Sequence, residues 1–132
     1  MADAVTTNVY FNSDAGTRRY GVHLTGVSDG TGESNVVKID KSTLKDSMGV
    51  EPDYLKLASA RWTVQGYGHV LFSTDHDTND TLLICAGNGY DNWESSSFLP
   101  DPNSTGGTGD LLLTSVGASS GAVYDITLEF VL

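Results

Sequence analysis

The stretch that decides the fold class is Ala122–Leu132, which has the sequence AVYDITLEFVL. Every second residue in it is apolar or aromatic, namely Ala122, Tyr124, Ile126, Leu128, Phe130 and Leu132. The residues between them are Val123, Asp125, Thr127, Glu129 and Val131. Because successive side chains of a β-strand point to opposite faces, this period of two predicts a strand with one buried face.

Further stretches rich in strand-forming residues lie upstream, separated by polar or glycine-rich segments. They are Val5–Phe11, Arg19–Thr25, Asn35–Ile39, Tyr54–Val64, His69–Thr74, Thr81–Ala86 and Leu111–Val116. The polar turn Asp75–Asp80 predicts one hairpin, and Gly117–Gly121 predicts a second that leads into the last strand. We therefore predict an all-β domain, an antiparallel β-sandwich of jelly-roll or immunoglobulin-like type with about seven to nine strands.

Helical periodicity is nearly absent, since no 3.6-residue apolar stripe is sustained over several turns. The candidate is Ser42–Met48, in which Ser42 is placed to cap the N-terminus and Gly49 to end the helix. The sequence thus predicts at most one short helix.

Length and charge limit the organisation of the protein and its partners. With 132 residues, the chain is expected to form one domain over 1–132. Seven Lys and Arg against seventeen Asp and Glu give a net charge of −10, which repels phosphate backbones and anionic lipids. We expect no nucleic-acid or membrane partner. The N-terminus carries no secretory signal, which predicts synthesis in a cytoplasm. Cys85 is alone, so neither an intrachain disulfide nor a structural zinc site is expected.

The segment Gly87–Asp110 is predicted to be a long loop. Structureless loops of this length are uncommon in compact domains and usually have a function or are disordered. Tyr90, Trp93, Phe98 and Leu99 can bury apolar surface, which argues for an ordered, functional loop.

The turn Asp75–Asp80 contains half of a calcium-binding pattern. Asp75, Asp77 and Asn79 match D-x-D-x-N, whose oxygen ligands suit Ca²⁺. The second half is missing, because Ala86 occupies the position of the bidentate Glu. The sequence favours a solvated hairpin tip over a weak cation site, and no metal is assigned.

The catalytic patterns in the sequence lack their required context. Gly117–Gly121 matches G-x-S-x-G, but a strand follows it and no downstream His is available as a base. Ser42–Lys45 matches S-x-x-K without its companion motifs. The histidines are scattered, at His23, His69 and His76. We therefore expect no enzyme activity, no catalytic residues and no cofactor.

From Arg61–Val64 onward, the chain resembles small proteins of tailed phages of aquatic bacteria, cyanophages among them. The matching segments are Gly87–Tyr90, Leu99–Pro102, Thr108–Leu112, Val116–Gly117 and Gly121–Glu129. The resemblance implies a virion component that decorates or cements the capsid by binding the major capsid protein. It also implies a homo-oligomer, with a trimer favoured by the threefold positions of a capsid.

In proteins of this kind the last strand ends in basic residues, whereas in this chain it ends in Phe130-Val131-Leu132. This difference predicts that the C-terminus is buried in an interface. The residues expected to contact a partner are Tyr90, Trp93, Phe98, Leu99, Phe130 and Leu132. The alternative function is a carbohydrate-binding, lectin-like module on a virion or tail. It would use Tyr90 and Trp93 as stacking platforms and the acidic turn with Ca²⁺.

Overall fold

The computed structural model describes residues 4–11, 19–44, 55–77, 79–96, 98–100 and 106–131. Within these ranges the chain forms strands and two three-residue 3₁₀ turns, Lys41–Thr43 and Glu94–Ser96, without an α-helix. The strands are β1 (Ala4–Phe11), β2 (Arg19–Asp29), β3 (Val36–Ile39), β4 (Lys56–Gln65), β5 (His69–Thr74), β6 (Asp80–Cys85), β7 (Asn88–Asn92), β8 (Leu99–Pro100), β9 (Leu111–Val116) and β10 (Ser120–Val131). Nine of them have four or more residues, and β8 has two, so the predicted all-β class is confirmed.

The strands form two antiparallel sheets. The six-stranded sheet has the order β1-β2-β10-β4-β7, with β8 paired to β4, and the four-stranded sheet has the order β3-β9-β5-β6. The chain changes sheet at six connections, which are β2–β3, β3–β4, β4–β5, β6–β7, β8–β9 and β9–β10. Four strands in the order β2-β10-β4-β7 thus face four in the order β3-β9-β5-β6. This is the double Greek-key connectivity of a jelly roll, which distinguishes the fold from an immunoglobulin-like sandwich.

The core lies between the two sheets. The alternation in β10 is present as predicted, with alternate side chains from Ala122 to Phe130 buried. From the opposite sheet, Val70, Phe72 and Leu113 enter the same cluster with no exposed surface. Burying each large apolar side chain stabilises the fold by roughly 1.5–3 kcal/mol, so this cluster is the main source of stability.

The segment 87–110, predicted as a loop, contributes two strands to the six-stranded sheet. Residues of β7 pair with β4 from Ser59↔Asn92 to Thr63↔Asn88, and β8 pairs with the start of β4. The sequence analysis missed β7 because most of its residues are exposed at the sheet edge. An edge strand of this kind shows no apolar alternation.

The turn 117–121 does not close a hairpin, because β9 and β10 belong to different sheets. It is held by the β4–β5 connection, where Ser119 donates both its backbone N–H and its hydroxyl to the carbonyl of Gly66. A tight turn was predicted and is found. The pairing of its flanking strands was predicted wrongly, since a glycine-rich turn serves equally well in a hairpin and in a crossing between sheets.

Of the helix predicted at Ser42–Met48, the structure describes residues 42–44, which belong to the 3₁₀ turn Lys41–Thr43 and its C-cap, Leu44. Its cap is Asp40, whose carboxylate accepts hydrogen bonds from the backbone N–H and the hydroxyl of Ser42. Leu44 is extended and buried in the core, so the turn ends there. The prediction that Ser42 is the cap is therefore wrong, and residues 45–49 lie outside the described part of the chain.

Candidate functional site

The outer face of the six-stranded sheet carries one row of polar residues across four strands. The register places His23, Thr127, Arg61 and Tyr90 opposite one another on β2, β10, β4 and β7. Directly opposed residues point to the same face of a sheet. Thr127 alternates with the buried residues of β10, so the row faces away from the core.

A groove of about 230 Å³ lies along this row on the β4 and β10 side. Its lining residues are Ser59, Ala60, Arg61, Tyr90, Thr127 and Glu129. The next row contributes Glu129 and Ser59, which are paired in the register of β10 and β4. The groove therefore combines a phenol ring, a guanidinium, a carboxylate and two aliphatic hydroxyl groups.

Contacts within the groove fix the orientation of its charged groups. The Arg61 guanidinium carbon lies 5.3 Å from the centroid of the Tyr90 ring, within the range of a cation–π interaction. Ser59 donates its hydroxyl to Glu129 Oε2 at 2.9 Å. Tyr90 is still 58% exposed, so its ring is accessible to a ligand.

The position of Tyr90 depends on the packing of the preceding residue, Gly89. The Trp62 ring lies directly over Gly89, where a Cβ would collide with it. The indole N–H of Trp62 donates to the carbonyl of Ala86, which anchors the ring beside the start of β7. This packing fixes the register that places Tyr90 opposite Arg61. Tyr90 is among the residues that the sequence predicts to contact a partner, whereas Arg61 is not, although the polar alternation of β4 and β10 was available as a signal.

The other residues predicted to contact a partner are half-buried or buried. Trp93 packs against the core, donates its backbone N–H to Ala58 and accepts one from Phe98. Phe98 is half-buried with a positive φ of 70°, and Leu99 packs against the core. Phe130 is fully buried on the inner face of β10, where its ring stabilises the sandwich and is not available to a partner. Leu132 lies outside the described residues. The structure thus leaves only Tyr90 widely exposed among the described members of this set.

The outer face of the four-stranded sheet carries four aliphatic side chains together with His69 and Thr114, which the register pairs with Val116 and Leu71. Leu71 and Ile84 are opposed on β5 and β6 and alternate with buried residues, so both point outward. Val116 lies on the same face of β9, and Val37 on that of β3. Ile84 and Val37 are 53% and 51% exposed. We call Val37, Leu71, Ile84 and Val116 the apolar face.

The acidic turn Asp75–Asp80 is bonded to the segment before β9. Asp75 Oδ2 accepts a hydrogen bond from the Thr108 hydroxyl at 2.8 Å, and His76 Nδ1 lies 2.8 Å from the Gly106 carbonyl. Asn79 Oδ1 accepts from the backbone N–H of His76. Within the described ranges, no group of three or more His, Cys, Asp or Glu is arranged to hold a metal. The turn joins β5 and β6 of the four-stranded sheet, whereas Tyr90 lies on β7 of the six-stranded sheet.

A buried ion pair was missed entirely by the sequence analysis. Lys38 Nζ lies 2.7 Å from Glu33 Oε1, and the two side chains are only 4% and 7% exposed. The Tyr124 hydroxyl donates to the other carboxylate oxygen at 2.7 Å. Glu33 lies in the segment between β2 and β3, so its carboxylate connects that segment with β3 and with the opposite sheet. No local pattern in the sequence indicates such a contact.

The lone thiol, Cys85, is buried in the core. Burial raises its pKa to about 12, because the thiolate would be poorly solvated there. The thiol is therefore protonated at neutral pH and behaves as a small apolar side chain.

Comparisons with known proteins give no relative: no family model, no curated protein and no solved structure matches this chain. In the part of the chain that the structure describes, no helix is long and apolar enough to cross a membrane.

Proposed function

We propose that this chain is an auxiliary structural protein of a virion, which binds the lattice of a major capsid protein and stabilises it. It would be made in the host cytoplasm and incorporated into the capsid. The observation that carries this proposal is the apolar face of the four-stranded sheet. Exposed aliphatic side chains grouped on one face of a domain can mark an interaction site.

The charge of the molecule supports an interface confined to this face. A net charge of −10 keeps most of the surface hydrated and opposes nonspecific association. Four aliphatic side chains from four neighbouring strands contrast with that surface. A capsid lattice offers an extended partner that can cover such a face completely. The jelly-roll connectivity agrees with this role, since viral capsid domains use it, but lectins use it too, so the fold alone does not decide.

The test is co-sedimentation of the protein with expanded capsids that lack it. We expect the double variant Val37→Ser/Ile84→Ser to bind at least tenfold more weakly. Each side chain is about half covered already, so each would contribute about 1 kcal/mol, which is half of its full burial energy. The matched control is Val27→Ser, whose side chain is 49% exposed and belongs to the other sheet.

Failure of the wild-type protein to sediment with the capsids would contradict the proposed function. Equal weakening by the control would show that the apolar face is not the contact. Circular dichroism and the melting temperature establish that each variant is folded. We also propose a trimer, which sedimentation velocity would detect as three times the 14.0 kDa monomer. A monomer at all concentrations would contradict that assembly.

A further inference from the structure

We propose that the groove on the six-stranded sheet binds a neutral saccharide. This site lies on the opposite face from the proposed capsid contact and does not depend on it. It shares Tyr90 with the lectin-like site expected from the sequence, but it uses Arg61, Thr127 and Glu129 in place of Trp93 and the acidic turn.

The stacking element of the site is Tyr90. An exposed aromatic ring can pack against the C–H face of a pyranose and removes apolar surface of both partners from water. The Arg61 guanidinium, 5.3 Å from the ring centroid, restricts the motion of the Tyr90 side chain before a ligand arrives. The Gly89–Trp62 packing fixes the strand beneath it. A site that is ordered in advance loses less conformational entropy on binding.

The polar groups beside the ring suit vicinal hydroxyls. Arg61 provides only donors, and the Glu129 carboxylate provides only acceptors. A carboxylate can accept about four hydrogen bonds, so Glu129 has capacity beyond the one from Ser59. A sugar hydroxyl both donates and accepts, so adjacent hydroxyls can satisfy both groups at once. A groove of about 230 Å³ has room for one sugar ring and is open toward solvent for the units attached to it.

Charge favours a neutral ligand over an anionic one. The groove holds one cationic and one anionic side chain, Arg61 and Glu129, so its local charge is balanced. The whole chain carries −10, which repels polyanions such as nucleic acids or highly sulfated glycans.

The polar surface continues beyond the groove along the same row. From Tyr90 on β7 to His23 on β2, the row crosses three strand spacings, or about 14 Å. His23 is bonded there to Asp125, with Nε2 and Oδ1 2.6 Å apart. This length would accommodate an extended oligosaccharide, so we expect oligomers to bind more tightly than monosaccharides.

The experiment uses the full chain and neutral oligosaccharides of glucose, galactose, mannose and N-acetylglucosamine, with isothermal titration calorimetry to measure Kd. We expect at least one probe to bind with micromolar to millimolar Kd. Tyr90→Ala should weaken binding at least tenfold, and Tyr90→Phe by less than threefold, because it keeps the ring. Glu129→Gln should weaken binding about tenfold. The matched control, Val123→Ala, changes an exposed residue two rows away on the same face and should leave Kd unchanged.

Three results would overturn the proposal: no binding of any neutral probe at millimolar concentration, binding of anionic saccharides alone, or equal affinity of Tyr90→Ala and the wild type. Capsid co-sedimentation of Tyr90→Ala separates the two proposals. Loss of saccharide binding with capsid binding intact supports a distinct site. Loss of both, in a folded variant, would contradict the separation of the two faces.

Discussion

Replacing Glu33 by Gln tests whether the buried ion pair stabilises the sandwich. The substitution preserves the size of the side chain and keeps an oxygen for the Tyr124 hydroxyl, but it removes the charge that faces Lys38. The ammonium group of Lys38 then lies in a site where its side chain is only 4% exposed. Removing one partner of a buried pair leaves an uncompensated charge and typically costs about 3–5 kcal/mol.

Such a loss is large for a domain whose whole stability is about 5–15 kcal/mol. With a urea dependence of about 2 kcal/mol per molar, the unfolding midpoint should fall by about 2 M. Urea unfolding monitored by tryptophan fluorescence measures this shift. The double variant Glu33→Gln/Lys38→Met removes both charges, so we expect it to recover most of the loss.

The exposed pair His23–Asp125 provides the control, because its side chains are 38% and 62% exposed. Asp125→Asn should change the free energy of unfolding by less than about 1 kcal/mol, as is usual for surface pairs. If Glu33→Gln were as mild as Asp125→Asn, the argument from burial would be wrong. If the double variant were no more stable than Glu33→Gln, the unpaired charge would not be the cause.

Three further predictions concern stability and ligands. Gly89→Ala should lower stability by about 1–3 kcal/mol through its clash with the Trp62 ring, whereas Gly87→Asn, in open space, should be tolerated in a thermal denaturation. The free energy of unfolding should fall as pH rises from about 9 toward 12, because the Cys85 thiol ionises near 9.0 in the unfolded chain and only near 12 in the folded one. Urea titrations at several pH values should show a weaker fall in Cys85→Ala than in the wild type. An equal dependence on pH in the two proteins would contradict the role of Cys85. Millimolar Ca²⁺ should leave the melting temperature unchanged, since the Asp75–Asp80 turn already uses Asp75 in a protein hydrogen bond, and a calcium-dependent rise would point to a cation site.

The sequence predicted those strands that bury one face. The alternation from Ala122 to Phe130 predicts which face of this strand is buried. In the structure, β10 lies inside the six-stranded sheet and that face packs on the core. The edge strand β7 was not predicted, because its residues are mostly exposed and show no alternation of apolar and polar side chains. The hairpin expected between β9 and β10 was wrong because turn chemistry does not encode which sheet the next strand enters.

The candidate site could be predicted only in part. Tyr90 was identified as an aromatic residue able to contact a partner or stack on a sugar, but its neighbours come from strands that are distant in sequence. Arg61 and Glu129 meet only because β4 and β10 pair antiparallel in one register. The contact between Glu33 and Tyr124 likewise joins residues 91 positions apart. Such proximity is a property of topology, which a single sequence does not show.

The central position of β10 has a consequence for how the protein is made. This strand is synthesised after every other strand, yet it lies between β2 and β4 and pairs with both. On the ribosome, the six-stranded sheet therefore cannot close until β10 has left the exit tunnel. Until then β2 and β4 present unpaired edges, which are prone to aggregate. Closure of the sheet therefore waits for β10 and is expected at the millisecond-to-second rates usual for contacts of long sequence separation.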